Sequence, residues 1–140
     1  MVYPRKEEIL ANLITPNKEQ IDIIDRWKEK WYNGLWSKRL LEEKIKALKD
    51  LAEGLVSQDI DLSITLGLSW YTTIFEDEKR AIIGVDITSP SIISMLHEIG
   101  HVMHGTSELK ACAYSIGIFS TCFPGAYKNL TWKGHMLVKQ

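Results

Sequence analysis

One helical segment of this chain carries titratable side chains where apolar ones are expected. Between Ser89-Pro90 and Gly105 the apolar residues recur at helical spacing, and the segment contains His97-Glu98-Ile99-Gly100-His101. Ser89-Pro90 is a helix cap followed by proline, and Gly105 is a typical helix end. The flanking positions are uncharged, so burial of this helix would be costly without a metal ion or other polar partners.

The spacing of the two histidines indicates a metal site. His97 and His101 are one helical turn apart, which places both imidazoles on one face where they can share one ion. Glu98 follows the first histidine and can reach a water molecule beside that ion. Two imidazoles and an adjacent carboxylate are the groups with which zinc enzymes hold the metal and deprotonate water. We therefore predict that His97 and His101 bind zinc and that Glu98 is a general base.

A third protein ligand is required if one zinc position is to stay open for water. Beyond the helix the only acidic side chain is that of Glu108, and it follows Gly105, where the chain can turn back. Glu108 is therefore the favoured third ligand. Other downstream residues also carry ligand atoms and stay as alternatives, and they are His104, His135, Cys112 and Cys122.

His104 is a weaker alternative because of its position on the same helix. A continuous helix separates His97 from His104 by about 10 Å along its axis, whereas the ligand atoms of one zinc lie about 3–4 Å apart. We expect His104 to interact with the helix C-terminus or to contact a metal ligand from outside the ligand set.

The rest of the chain predicts a single α+β domain over residues 1–140. Helical patterns fill residues 1–56, and β-branched and aromatic residues in 60–87 predict a small sheet whose last two strands form a hairpin. The sheet and the two helices that carry the site are expected within residues 57–122. Residues 123–140 contain several turn-forming residues and are expected to be an irregular tail.

Composition restricts the partners. The chain has 17 basic and 18 acidic residues, a net charge of −1, which gives no general reason to expect nucleic acid or an anionic membrane. The charged N-terminus and the absence of a long apolar run predict neither a signal peptide nor a membrane span, so a cytoplasmic location is expected. The four lysines after His101 could favour an acidic substrate, although ordinary surface is the simpler interpretation. No feature indicates an oligomeric state.

The motif His97–His101, followed by Glu108-Leu109-Lys110-Ala111, resembles the HExxH and ExxA arrangement of gluzincin-type metallopeptidases. The similarity is to small minigluzincins and to ImmA/IrrE-like peptidases, and it covers roughly residues 80–120. It implies a zincin-like fold: N-terminal helices, a small twisted and mainly antiparallel sheet, and an active-site helix followed by a glutamate-bearing helix. It also implies that an edge strand within residues 69–87 aligns the substrate backbone. The sequence departs from the family in one respect, because the six residues between His101 and Glu108 are fewer than in most gluzincins.

The function expected from these features is that of a small intracellular zinc endopeptidase, with one Zn²⁺ per chain and a peptide or protein substrate. Candidate donors to the developing oxyanion are Tyr114, Tyr127 and His135. The alternative is a latent enzyme or a non-catalytic zinc-binding interaction or regulatory module. The short tail suggests both alternatives. It leaves little chain to build the far wall of a cleft, as expected of a module, and it could itself block the site, as expected of a latent enzyme.

Overall fold

The computed structural model describes residues 3–34 and 36–139; the sequence-based boundaries also include Met1, Val2, Leu35 and Gln140, which lie outside the described residues. Within the described part, the protein is a mixed α+β fold with six α-helices, one three-stranded sheet and one two-stranded sheet. The helices are α1 (Lys6–Ala11), α2 (Lys18–Trp31), α3 (Leu41–Leu55), α4 (Ile92–His104), α5 (Glu108–Cys122) and α6 (Pro124–Lys128). The strands are β1 (Asp61–Gly67), β2 (Tyr71–Phe75), β3 (Arg80–Asp86), β4 (Leu130–Lys133) and β5 (Met136–Lys139). None of the described helices has the length and apolarity needed to cross a membrane.

The N-terminal part is helical, as predicted, and it packs on the main core. Asn17 begins α2 with a capping box: its side chain accepts from the Gln20 backbone N–H at 2.8 Å, and the Gln20 side chain accepts from the Asn17 N–H at 2.9 Å. Trp27 is buried between α2 and α3, and its Nε1 donates to the Ala47 carbonyl at 2.7 Å. This paired indole nitrogen removes the cost of burying a polar group with the ring.

The three-stranded sheet has the order β1-β3-β2, and its hairpin of β2 and β3 agrees with the sequence-based prediction. The expectation of a mainly antiparallel sheet is wrong, because β1 pairs with β3 in parallel and only β2 pairs with it antiparallel. The physical reason lies in β3, whose Ala81, Ile83 and Val85 are fully buried. The most apolar strand takes the centre between β1 and β2, and since these two edge strands run in opposite directions, β3 is parallel to one and antiparallel to the other.

Helices α4 and α5 approach each other closely, and this contact sets the position of the site. A Cβ added to Gly100 would lie only 3.0 Å from both the Cα and the carbonyl oxygen of Ala111. Gly105 ends α4 with a φ of 88°, a conformation that favours glycine, and Ser107 then caps α5. The first residue of α5, Glu108, therefore returns to the side of α4 that carries the histidines.

The prediction of an irregular tail over residues 123–140 is wrong for the described part of that range. After α6, strands β4 and β5 form an antiparallel hairpin whose turn contains Gly134 at a φ of 65°. Trp132 and Leu137 are directly opposite each other, and both pack on a small apolar cluster that includes Ile116. Each strand has four residues, too few for a clear period in the sequence, and its stability comes from this tertiary burial.

Candidate metal centre

The three predicted ligands come together between α4 and α5. The Nε2 atom of His97 lies 3.1 Å from Oε2 of Glu108, and the Nε2 atom of His101 lies 2.9 Å from Oε1 of the same carboxylate. All three side chains are mostly buried, with exposed fractions of 24%, 12% and 22% for His97, His101 and Glu108. One carboxylate thus faces two imidazole nitrogens at a cleft.

The second nitrogen of His101 shows why this arrangement fits a cation. Its Nδ1 lies 2.9 Å from the Gly105 carbonyl oxygen, which can only accept, so Nδ1 carries the hydrogen. In a neutral ring the Nε2 atom then presents a lone pair to the Glu108 carboxylate, and two acceptors at this distance repel unless a proton or a cation lies between them. Ligand atoms about 3–4 Å apart, with bonds near 2 Å, are what a zinc ion requires. The distances from the Glu108 carboxylate to each histidine nitrogen are close to this spacing, and with the fixed tautomer of His101 they are compatible with Zn²⁺.

Cys112 contacts the other histidine. Its Sγ lies 3.8 Å from Nδ1 of His97, across the ring from the nitrogen that faces Glu108. Within the described residues, His97, Glu108 and Cys112 are the one set of potential ligands whose atoms all lie within 4.8 Å of one another, and His101 falls outside it. We favour the set with His101, because both Nε2 atoms converge on one carboxylate and Cys112 faces the far side of the His97 ring.

Electrostatics agree with this assignment. Burial lowers the pKa of His97 and so favours the neutral imidazole that a metal requires, although the Glu108 carboxylate acts in the opposite direction. Burial also raises the pKa of the Cys112 thiol to about 12, and the charge of Glu108 acts in the same direction. Without a metal ion the thiol is therefore protonated at neutral pH.

Glu98 is the one acidic side chain among the described residues that is buried, with 7% exposure. Burial raises the pKa of Glu98, and a hydrogen bond from Thr72, whose Oγ1 is 2.8 Å from Oε1, partly offsets that rise. A buried carboxylate with a perturbed pKa beside a cleft is a typical feature of a functional site. Glu98 lines the same groove as the three predicted ligands.

Two adjoining cavities meet at the centre. An open groove of about 790 Å³ is lined by Tyr71, Thr72 and Ile74 of edge strand β2, together with the four predicted site residues. A smaller and more apolar cavity of about 230 Å³ continues from it past Cys112 and Ile116. An edge strand beside the cleft agrees with the expectation that residues 69–87 contain such a strand.

His135 also belongs to the cleft. It lies in the turn between β4 and β5 and lines both cavities with Met136, while its ring stacks on Tyr3 with a centroid distance of 4.1 Å. His97 lines the same two cavities. Among the candidate oxyanion donors, His135 is the one that the fold brings to the site.

Four other candidates lie elsewhere. Tyr114 has 1% exposure, its hydroxyl has no hydrogen-bond partner among the described residues, and its ring lies 5.3 Å from that of His104, which is exposed. Cys122 is buried, and Tyr127 is half-buried against both apolar clusters. None of the four lines either cavity. The expectation that Tyr114 or Tyr127 donates to an oxyanion is therefore corrected, because Tyr114 is buried in the core and neither tyrosine lines the cleft.

The charged residues that border the cleft are not the lysines that the sequence after His101 suggests. Of the lysines after His101, Lys110, Lys128 and Lys133 line neither cavity, whereas Glu76 and Asp77 border the groove. The local excess of lysine in the sequence therefore gives no support for an acidic substrate.

Sequence reasoning missed Thr72 as a neighbour of Glu98. The two residues are 26 positions apart, and no local pattern pairs a strand hydroxyl with a helix carboxylate.

Comparisons with protein-family models, with curated proteins and with solved structures found no match to this chain. Function is therefore inferred from the chemistry and geometry of these residues.

Proposed function

We propose that this protein is a small zinc-dependent endopeptidase of gluzincin-like type, with His97, His101 and Glu108 as zinc ligands and Glu98 as general base. The observation that carries the proposal is the convergence of both Nε2 atoms on the Glu108 carboxylate, at 3.1 and 2.9 Å, with a buried carboxylate in the same cleft. The order of the elements supports it, because a histidine-bearing helix on a small sheet is followed directly by the glutamate-bearing helix.

The chemistry divides between the metal and the protein. A zinc ion bound by these ligands would act as a Lewis acid and lower the pKa of a water molecule toward about 7. Glu98 would accept a proton from the attacking water and donate it to the nitrogen of the leaving amine. The burial that raises the pKa of Glu98 favours this transfer, because a carboxylate in an apolar surrounding holds a proton more readily.

The substrate would lie along β2. This strand pairs only with β3 among the described residues, so the backbone N–H and C=O groups of its outer side are available to another strand. An extended peptide could pair there and pass through the groove in front of Glu98, as in other cases of strand addition. A peptide backbone, rather than a sugar or a nucleotide, is what such an edge recognises.

The test compares the parent protein with Glu98→Gln after reconstitution with zinc. Both should hold one zinc per chain by elemental analysis, and hydrolysis of a mixed peptide library should fall about 10²- to 10⁴-fold in the variant, since general acid–base catalysis contributes that much. Glu53→Gln, an exposed change on α3, is the matched control and should cleave as the parent does. Parent-like cleavage by Glu98→Gln would show that the mechanism is wrong.

A second candidate is a latent form of the same enzyme. His135 and Met136 line both cavities from the β4–β5 turn, so the hairpin covers part of the cleft that a peptide would occupy. In this form the hairpin must move before substrate can bind. A parent protein that binds one zinc and cleaves no peptide under any hairpin substitution would instead favour a non-catalytic zinc-binding module.

A further inference from the structure

The carboxylate proposed as general base is held by a hydroxyl from the sheet. Thr72 Oγ1 lies 2.8 Å from Oε1 of Glu98 and 3.3 Å from the backbone carbonyl oxygen of the same residue. A hydroxyl has one hydrogen to donate, and the shorter distance and the charge of the carboxylate favour Oε1 as its acceptor. This is the side-chain hydrogen bond that joins β2 to α4 at the cleft.

The period of the strand directs Thr72 toward the helix. Successive side chains of a strand point to opposite faces, and Thr72 is half-buried while its neighbour Thr73 is exposed. Thr72 is opposite Ile83 of the central strand, and Ile83 is fully buried on the core side. The sheet therefore fixes the hydroxyl in place before any substrate binds. Thr73 supplies the same residue type on the same strand without access to Glu98.

We propose that Thr72 is the positioning residue of the general base. By occupying Oε1 it leaves Oε2 of Glu98 to accept the proton of the attacking water, and it prevents the carboxylate from turning toward the histidines. It also attaches Glu98 to the strand along which the peptide would lie, so the same strand would set the positions of the general base and of the scissile bond. This inference rests on the proposed peptidase function.

A purely structural anchor is the alternative. The bond could hold β2 to α4 and affect cleavage only through the amount of folded protein. The two roles differ in their kinetics, because loss of an orienting contact lowers kcat per folded molecule, whereas loss of an anchor lowers the folded fraction. They also differ in spectroscopy, since a reoriented carboxylate beside the ion changes the metal environment and an altered folded fraction does not.

The experiment uses Thr72→Val, which removes the hydroxyl and keeps the shape, Thr72→Ser, which keeps the hydroxyl, and Thr73→Val as matched control. With zinc, Thr72→Val should lower kcat per folded molecule about 10- to 100-fold, as expected for a hydrogen bond to a charged group, with KM within about twofold. Thr72→Ser should restore most of the rate, and Thr73→Val should match the parent. With cobalt in place of zinc, the visible absorption should change in Thr72→Val alone.

Two outcomes would overturn the inference while the proposed function stands. One is a parent that cleaves peptides while Thr72→Val cleaves as fast as Thr73→Val per folded molecule, measured against the folded fraction from urea unfolding. The other is a Thr72→Val defect that Thr72→Ser does not reduce. A parent that holds one zinc and cleaves no peptide, while its cobalt spectrum still responds to Thr72→Val, places the failure with the proposed function, and the positioning role then falls with it.

Discussion

At the scale of the residue, Glu98 shows a conflict between stability and function. A carboxylate that is 7% exposed has lost most of its water, and among the described residues its one side-chain donor is Thr72. Burial raises its pKa, which means that the folded state disfavours the ionised form. Sites of this kind are retained in proteins when the strained group is needed for chemistry.

This conflict predicts that Glu98→Gln stabilises the metal-free protein at pH 7. With a raised pKa in the folded state, the penalty for ionising Glu98 is fully present above that pKa and is absent below the ordinary value of 4.5. The gain in the free energy of unfolding should therefore shrink as the pH falls toward 4.5, and urea unfolding at several pH values measures it. Glutamine keeps an acceptor for Thr72, so a loss of stability at pH 7 would contradict the prediction.

The ligand set gives a second prediction at this scale. Glu108→Ala should lose the zinc that the parent retains against a chromogenic chelator, because it removes a ligand. Cys112→Ser should keep one zinc per chain, with affinity reduced about tenfold at most, since the thiol contacts only the far nitrogen of His97. The reverse result, retention in Glu108→Ala and loss in Cys112→Ser, would make Cys112 the third ligand.

The sequence was informative where chemistry depends on local spacing. His97, Glu98 and His101 are separated by less than two helical turns, so helix geometry alone relates them, and Glu108 followed from the absence of any other acidic side chain beyond them. Thr72 could not be found in this way. Its contact with Glu98 depends on the register of β2 against β3 and on the docking of α4, which no local pattern encodes.

At the scale of the element, the β4–β5 hairpin is the part that sequence patterns missed most clearly. Pro124, Gly125 and Gly134 indicated irregular structure, yet they mark the start of a short helix and the turn of a hairpin. The hairpin is held by Trp132 and Leu137 on one face, which the tertiary fold buries. Its turn then carries His135 over the cleft.

This position predicts that the hairpin limits access to the cleft. His135→Ala and Met136→Ala remove side chains that line both cavities, and each should raise kcat/KM for long peptides by several fold, with less effect on short ones. Lys133→Ala, an exposed change on the same hairpin and outside both cavities, is the control. A fall in kcat/KM for His135→Ala would indicate instead that this imidazole donates to the oxyanion.

At the scale of the whole molecule, the metal centre and the core are continuous. The main apolar cluster contains residues of α2, α3, β3, α4 and α5, so both helices that carry the ligands belong to the same core as the N-terminal helices. Gly100 lets α4 and α5 pack closely at Ala111, so separating the two helices would open a void in the core. Metal binding at the site should therefore stabilise the whole fold and not only α4 and α5.

Zinc should accordingly raise the thermal midpoint of the protein as a single transition. At a free zinc concentration about 100 times the dissociation constant, the stabilisation is about 2.7 kcal/mol, which corresponds to a shift of roughly 5–10 °C for a chain of this size. Calorimetry with and without a chelator measures the shift, and Glu108→Ala should show much less of it. Two separate transitions, of which zinc moves only one, would contradict a continuous core.

All proposed metal ligands lie within residues 97–108, on one helix, its glycine turn and the first residue of the next helix. Such a segment is self-contained and could be transplanted onto another helical hairpin with its metal affinity largely intact. Thr72 and the groove along β2 would not travel with it, because they come from a distant part of the chain. Under the proposed function, metal binding and hydrolysis would therefore depend on different parts of the chain: residues 97–108 would hold the ion, and the sheet would supply the threonine and the edge strand used in hydrolysis.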